Sequence, residues 1–432
     1  PPRRGRRAGA RGGAAGRGLP GPLGRGKALA THAAPAVDPV GTALTGRPIP
    51  GPVYETPEFS HAIEHGTRTR TGRPGAANWV QHARYRIDAT LDVATSRLTG
   101  TERVVYVNHS PDTLRQLAVH LRQNVFAPGS ARREPVTVTG GVTLTRVAAA
   151  GQVLDTVSGR RRGGGRNARA AAGYMVDGAV MWIRLPAPLM PHDSTTLEFA
   201  WSYSPALSPS DGREGREDHL YFMGYWYPQV AVYDDVDGWV ADPYLNGAEF
   251  YMDPADYDVR VTVPHGWVVG ATGTLRDPAT VLSRRTLDRL ASARRGRDPV
   301  HIIAADDRGT GGGFAAGGAQ ATWHFTADDV RDFAWGTSDR YAWDATTALV
   351  RDSARARTDT VMINSYFRLD SAARAWPVGG ARFTRDAIEQ LSNYLWRYPW
   401  PQMSSMEGVL TSGGMEYPMM TLMQPWADTL SL

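Results

Sequence analysis

Apolar and polar positions alternate along much of the chain. Tyr85, Ile87, Ala89, Leu91 and Val93 interleave with Arg84, Arg86, Asp88, Thr90 and Asp92. A period of two places one set on a buried sheet face and the other in solvent. A turn at 96–100 leading into 101–108 predicts a hairpin. Segments 114–121, 178–185 and 195–203 read as further strands. Tyr257, Val259, Val261 and Val263 alternate again before Pro264, and 267–275 continues the run. Many short strands with Gly and Pro between them predict a sandwich-like β domain. A helix is expected near 281–295. The period changes after residue 376. Ile388, Leu391, Leu395 and Tyr398 are spaced 3, 4 and 3 apart, one face of a helix. Thr384 can cap its start, and Pro399 and Pro401 end it. Two strands are expected after it, near 408–411 and 416–422.

Composition divides the 432 residues unevenly. Residues 1–50 hold 11 Gly, 8 Pro, nine Lys+Arg, one Asp and no aromatic residue. Such a segment cannot bury enough apolar surface to offset its ordering entropy, so it is expected to be a disordered basic tail. The other 382 residues carry 39 basic and 42 acidic groups, which removes any charge argument for a nucleic-acid partner. Lys27 is the only lysine against 47 arginines, a codon-usage signature. The Arg- and Gly-rich stretch 158–172 is expected to be a surface loop. The absence of cysteine excludes disulfides, thiolate metal sites and cysteine nucleophiles. No apolar run reaches the ~20 residues of a membrane-spanning helix.

Three stretches carry candidate chemistry. Gly413-Gly414-Met415-Glu416-Tyr417 joins two residues without side chains, which let a ligand approach the backbone, to a carboxylate that can pair with a cation. His61-Ala62-Ile63-Glu64-His65 has H-x-x-E-H spacing, which on a helix puts both imidazoles on one face. Gly66 and the flanking Thr56-Pro57 and Arg73-Pro74 favour a polar linker there. Asp234, Asp235 and Asp237 before Gly238 fit an Asp-Gly turn better than a calcium loop. The aromatic run Tyr221, Phe222, Tyr225, Trp226, Tyr227, Tyr233, Trp239, Tyr244, Phe250 and Tyr251 reads as core, with a glycan- or peptide-binding platform as the alternative.

The order of these features matters: a long β-rich region, a helix ending in Arg397-Tyr398-Pro399-Trp400-Pro401, a strand, then Gly-Gly-Met-Glu. It resembles the gluzincin zinc aminopeptidases of the alanyl aminopeptidase and leukotriene hydrolase type, over roughly residues 80–424. Segment 221–238, with Gln229, resembles the family segment that supplies a glutamine to the substrate cleft. The resemblance implies a mainly β N-terminal sandwich-like domain (51–370) and the beginning of an α+β thermolysin-like catalytic domain (371–432). It implies a peptide substrate, with Glu416 on its α-amino group, Gly413, Gly414 and Met415 beside its backbone, and Gln229 lining the first subsite. The family uses zinc bound by H-E-x-x-H and a later Glu. Here no His precedes Glu directly, and the last His is His324. The expectation is a bacterial, exported family fragment, truncated before the zinc motif, binding no zinc and inactive as it stands. Tyr417 departs from the family's usual Asn. Two other readings remain: a non-catalytic β-rich binding protein, and a zinc site on His61, Glu64 and His65. The 371–432 segment is expected to expose the apolar face of Ile388, Leu391 and Leu395.

Overall fold

The computed structural model describes residues 54–157, 171–208, 213–247, 249, 251–309, 311–352, 354–369, 374–408 and 413–425. The basic tail and most of the Arg-rich stretch lie outside these residues. The alternation seen in the sequence becomes an eight-stranded sheet in the order Thr274–Arg276, Gln320–Val330, Ala255–Pro264, His82–Asp92, Arg97–Val107, Ser194–Tyr203, Thr143–Ala149 and Gln152–Val153. Two four-stranded sheets share its core. Ile87, Val104, Val259 and Val261 from the large sheet cluster with Leu117 and Ile183 from one small sheet and Leu220, Phe222 and Val268 from the other. Apolar faces of strands bury only against other elements, so sheets stack on sheets here, as the sequence predicts.

Two strand boundaries differ from expectation. The first hairpin turns at 93–96, and its second strand begins at Arg97. Ser96 has φ 49°, and Asp92 Oδ1 accepts from Ala94 N at 2.9 Å, so the acidic side chain rather than Gly100 makes the turn. Gly100 instead lies in the strand opposite Trp201, where a Cβ would overlap the indole. Segment 267–275 is two strands, not one. Val268–Ala271 joins a small sheet and Thr274–Arg276 the large one, with Gly273 at φ 90° between them.

A third region holds a six-stranded sheet in the order Val300–Ile303, Tyr341–Asp352, Arg357–Arg368, Gln402–Glu407, Met420–Met423 and Gly414–Tyr417. It joins strands from both sides of residue 370. Three α-helices are described: α1 (Pro57–Glu64), α2 (Arg284–Ala293) and α3 (Trp376–Tyr394). The expected helix near 281–295 is α2, capped by Ser283, whose side chain accepts from Thr286 N. Helix α3 begins eight residues before Thr384, with Pro377 in its first turn. Thr384 is therefore no cap; its hydroxyl donates to Gly380 O one turn back, at 2.8 Å. Ile388 packs on Ala348, Val350, Val361 and Ile363, and Trp376 on Ala342 and Phe367. Leu391 and Leu395 are exposed, as expected, and so are Tyr394 and Trp396. Ile388 is not.

The expected single strand at 416–422 is a hairpin. Pro418 and Met419 turn it, with Met419 at φ 60°. The strand before it is Gln402–Glu407, and residues 409–412 lie outside the described set. Among the described residues no helix is long and apolar enough to cross a membrane.

The packing at Gly100 is testable. Gly100→Ala forces Trp201 from its place, and overpacking of this kind costs about 1–3 kcal/mol. The urea midpoint is expected to fall accordingly, and an unchanged midpoint would refute the packing.

Candidate functional site

The hairpin sets Glu416. Its first strand, Gly414–Tyr417, lies at the edge of the six-stranded sheet, so its outer main-chain groups have no strand partner among the described residues. Gly413, at φ 64°, makes the approach. Glu416 is exposed, and Tyr417, one residue on, is buried. The Tyr417 hydroxyl donates to Arg213 O at 3.1 Å, and Gly224 N donates to the same carbonyl at 3.0 Å. A Cβ on Gly224 would overlap the phenol oxygen. Tyr417 is thus the peg that holds the hairpin.

Glu416 and Tyr417 form one wall of a cavity of about 380 Å³. Tyr225, Met252 and Trp400 supply apolar surface, and Arg213, Glu249, Arg331 and Asp332 supply charge. Arg213 reaches Glu249 at 3.4 Å. Asp332 is buried and accepts from the Tyr227 hydroxyl at 2.9 Å and from Phe333 N at 2.8 Å. Burial raises its carboxyl pKa, against the pull of the Arg122 charge and those two hydrogen bonds. Its Oδ2 has no partner among the described residues.

Gln229 stands one layer behind. It is buried, Arg122 donates to its Oε1, and its Nε2 donates to Arg331 O at 3.2 Å. The Arg122 guanidinium lies 4.5 Å from the centre of the Tyr225 ring, which does line the cavity. The structure therefore brings Gly414, Met415 and Glu416 together on one strand but leaves Gln229 off the cavity wall, linked to it through Arg122. Arg122 and Asp332 were not singled out in the sequence. An isolated Arg before Gln-Asn, and an Asp two residues past a strand, carry no spacing signal.

The other candidates resolve differently. His61 and Glu64 lie on α1 and His65 follows it, so this stretch is helical rather than a linker. The two imidazole centroids are 3.9 Å apart. Asp234 accepts from Val236 N and Asp237 N, and Gly238 has φ 66°, so an Asx-type turn joins Tyr233–Asp234 to Gly238–Trp239. Asp235 pairs with Arg68 at 2.8 Å. Trp226 is 1% exposed and donates to Phe333 O, so it cannot serve as a surface platform. Tyr221, Phe222, Tyr225, Tyr227 and Tyr244 are buried with it, Tyr251 is exposed, and Phe250 lies outside the described residues. Zinc does not fit what is described: no group of three His, Asp or Glu residues is placed to hold a metal among these residues.

Comparison with protein-family models finds no match, and neither does comparison with curated proteins. Solved structures do match at low identity. A two-domain M1 zinc metallopeptidase variant bound to L-tryptophan is 14% identical, with a TM-score of 0.48 over 82% of this chain and 63% of its own. An M1 zinc metallopeptidase variant from Deinococcus radiodurans, bound to a Tyr-Ser-Ala substrate, is 16% identical, with a TM-score of 0.47 over 80% of this chain and 60% of its own. The chain thus spans less than two thirds of the length of either structure.

Two predictions follow from this geometry. Tyr417→Phe, which loses one hydrogen bond, is expected to cost about 0.5–1.5 kcal/mol. Gly224→Ala is expected to cost more, because it expels the ring. Equal and negligible effects in denaturant unfolding would contradict the peg. The second concerns Asp253, whose pKa burial and the nearby Asp234 charge raise to about 7, with Arg331 opposing. A carboxyl with a raised folded-state pKa favours the folded state below its ordinary value of 3.8 and loses that contribution as pH rises through 7. Asp253→Asn is expected to flatten the fall in stability between pH 4 and 7. An unaltered pH profile would refute it.

Proposed function

We propose that this chain carries the part of a zinc-aminopeptidase-type peptidase that recognises the substrate's amino terminus. The single observation that supports this most is Glu416, an exposed carboxylate on an edge strand, one residue beyond the Gly413-Gly414-Met415 run and on the wall of a partly apolar cavity. An extended peptide can add to the open edge of Gly414–Tyr417 by main-chain hydrogen bonds. The absent side chains of Gly413 and Gly414 leave room for its backbone. Its α-ammonium then meets Glu416, and its first side chain enters among Tyr225, Met252 and Trp400. A charge-assisted contact at the amino end confines recognition to free termini. Bond cleavage in this class uses zinc-activated water. The described residues supply no ligand set for that metal, so no hydrolytic step is assigned to them.

Calorimetry with Phe-Gly-Gly and its N-acetyl form tests this reading. The free peptide is expected to bind about tenfold or more tighter than the acetylated one. Glu416→Gln is expected to abolish that difference while leaving the acetylated peptide unaffected. Equal affinity of the intact chain for both peptides would sink the proposal.

A further inference from the structure

A second cavity lies away from Glu416, between the large sheet and the six-stranded sheet. Its volume is about 290 Å³, near the small end of ligand sites, which run from about 300 to 1,000 Å³. Leu275, Leu290, Phe325, Trp343 and Met362 line it. The polar groups at its base are already committed to one another. Trp343 Nε1 donates to Asn364 Oδ1 at 3.1 Å, and Asn364 Nδ2 to Gln402 Oε1 at 3.2 Å. Ser404 Oγ also donates to Gln402 Oε1, at 2.9 Å, and Gln402 Nε2 donates to Ala271 O and Met419 O. A guest therefore meets mostly apolar surface.

Tyr366 and Arg294, like the Thr274 and Thr360 hydroxyls, line this cavity without a side-chain hydrogen-bond partner among the described residues. Tyr366 is 4% exposed, yet its hydroxyl has no hydrogen-bond partner among the described residues. The hydroxyl keeps some accessible surface, and an entering acceptor can supply the hydrogen bond it lacks. Arg294 is the exposed C-cap of α2 and also lines the cavity. Arg285 and Arg289 pair with Asp307, and Arg297 with Glu389, whereas the adjacent exposed Arg295 has no ion pair among the described residues and does not line the cavity. The Arg294 guanidinium has no ion pair or side-chain hydrogen bond among the described residues.

We propose that this cavity is a second ligand site, for a small carboxylate with an apolar body and a hydrogen-bond acceptor at its far end. Arg294 pairs with the carboxylate at the mouth. The body lies against Phe325, Trp343 and Met362, and Tyr366 donates to the far acceptor. The site is independent of the peptide reading at Glu416 and stands or falls without it.

Calorimetry on the full chain with three probes of one shape tests the proposal: 4-acetylphenylacetate, 4-ethylphenylacetate and 4-ethylphenethylamine. The acetyl carboxylate is expected to bind best and the amine at least about tenfold more weakly. Arg294→Gln, a surface change, is expected to weaken both carboxylates about tenfold and leave the amine unchanged. Tyr366→Phe is expected to remove the preference for acetyl over ethyl. Leu275→Trp, which fills the cavity, is expected to abolish binding while the far-ultraviolet dichroism stays that of the parent. The proposal is overturned if the amine binds as well as the carboxylates, if Arg294→Gln leaves carboxylate affinity unchanged, if Leu275→Trp still binds, or if no probe binds at millimolar concentration.

Discussion

The fit of Tyr417 against Gly224 sets the position of everything proposed for the Glu416 site. Only a residue without a side chain leaves room for the phenol, and a single carbonyl, Arg213 O, accepts from both the Tyr417 hydroxyl and Gly224 N. The contact joins an edge hairpin of one sheet to a segment that runs into another. Neighbouring residues in a strand face opposite ways. Anchoring Tyr417 inward therefore leaves the Glu416 side chain exposed, and both residues border the cavity. A carboxylate on an unanchored edge hairpin would have no fixed place to offer a ligand.

Behind the cavity lies a buried polar layer that the aromatic core encloses. Arg122 is 1% exposed, held by Gln229 and set over the Tyr225 ring. Gln123 donates to Glu214 and to Tyr225 O, and Tyr227 donates to Asp332. A buried cation is tolerated only where acceptors and rings surround it. Its charge in turn offsets part of the burial effect on Asp332. Tyr225 sits at φ 45°, a conformation unfavourable for a residue with a side chain. It follows directly on Gly224, so the strained backbone and the peg share one turn.

Much of this architecture was legible as alternation. Tyr85 to Val93 and Tyr257 to Val263 announce strands because one sheet face is buried and the other wet. What escaped had no periodic signal. The start of α3 is hidden by Pro377, Gly379 and Gly380, poor helix formers whose placement packing decides. The turn inside 416–422 rests on Met419 at positive φ, which its residue type does not advertise. The Glu416 motif was visible, but the helix before it ends at Tyr394, so Leu395 and Tyr398, expected on its face, lie beyond it and Pro399 does not mark its end. The links from Gln229 through Arg122 to the cavity were not visible, because contacts across more than 100 residues leave no trace in spacing.

A crystal structure of the chain soaked with Phe-Gly-Gly tests the central claim most directly. The account predicts the peptide extended along Gly414–Tyr417, its α-nitrogen within about 3.2 Å of a Glu416 carboxylate oxygen and its phenyl ring beside Trp400. A peptide bound with its amino terminus away from Glu416, or bound elsewhere on the molecule, would contradict it.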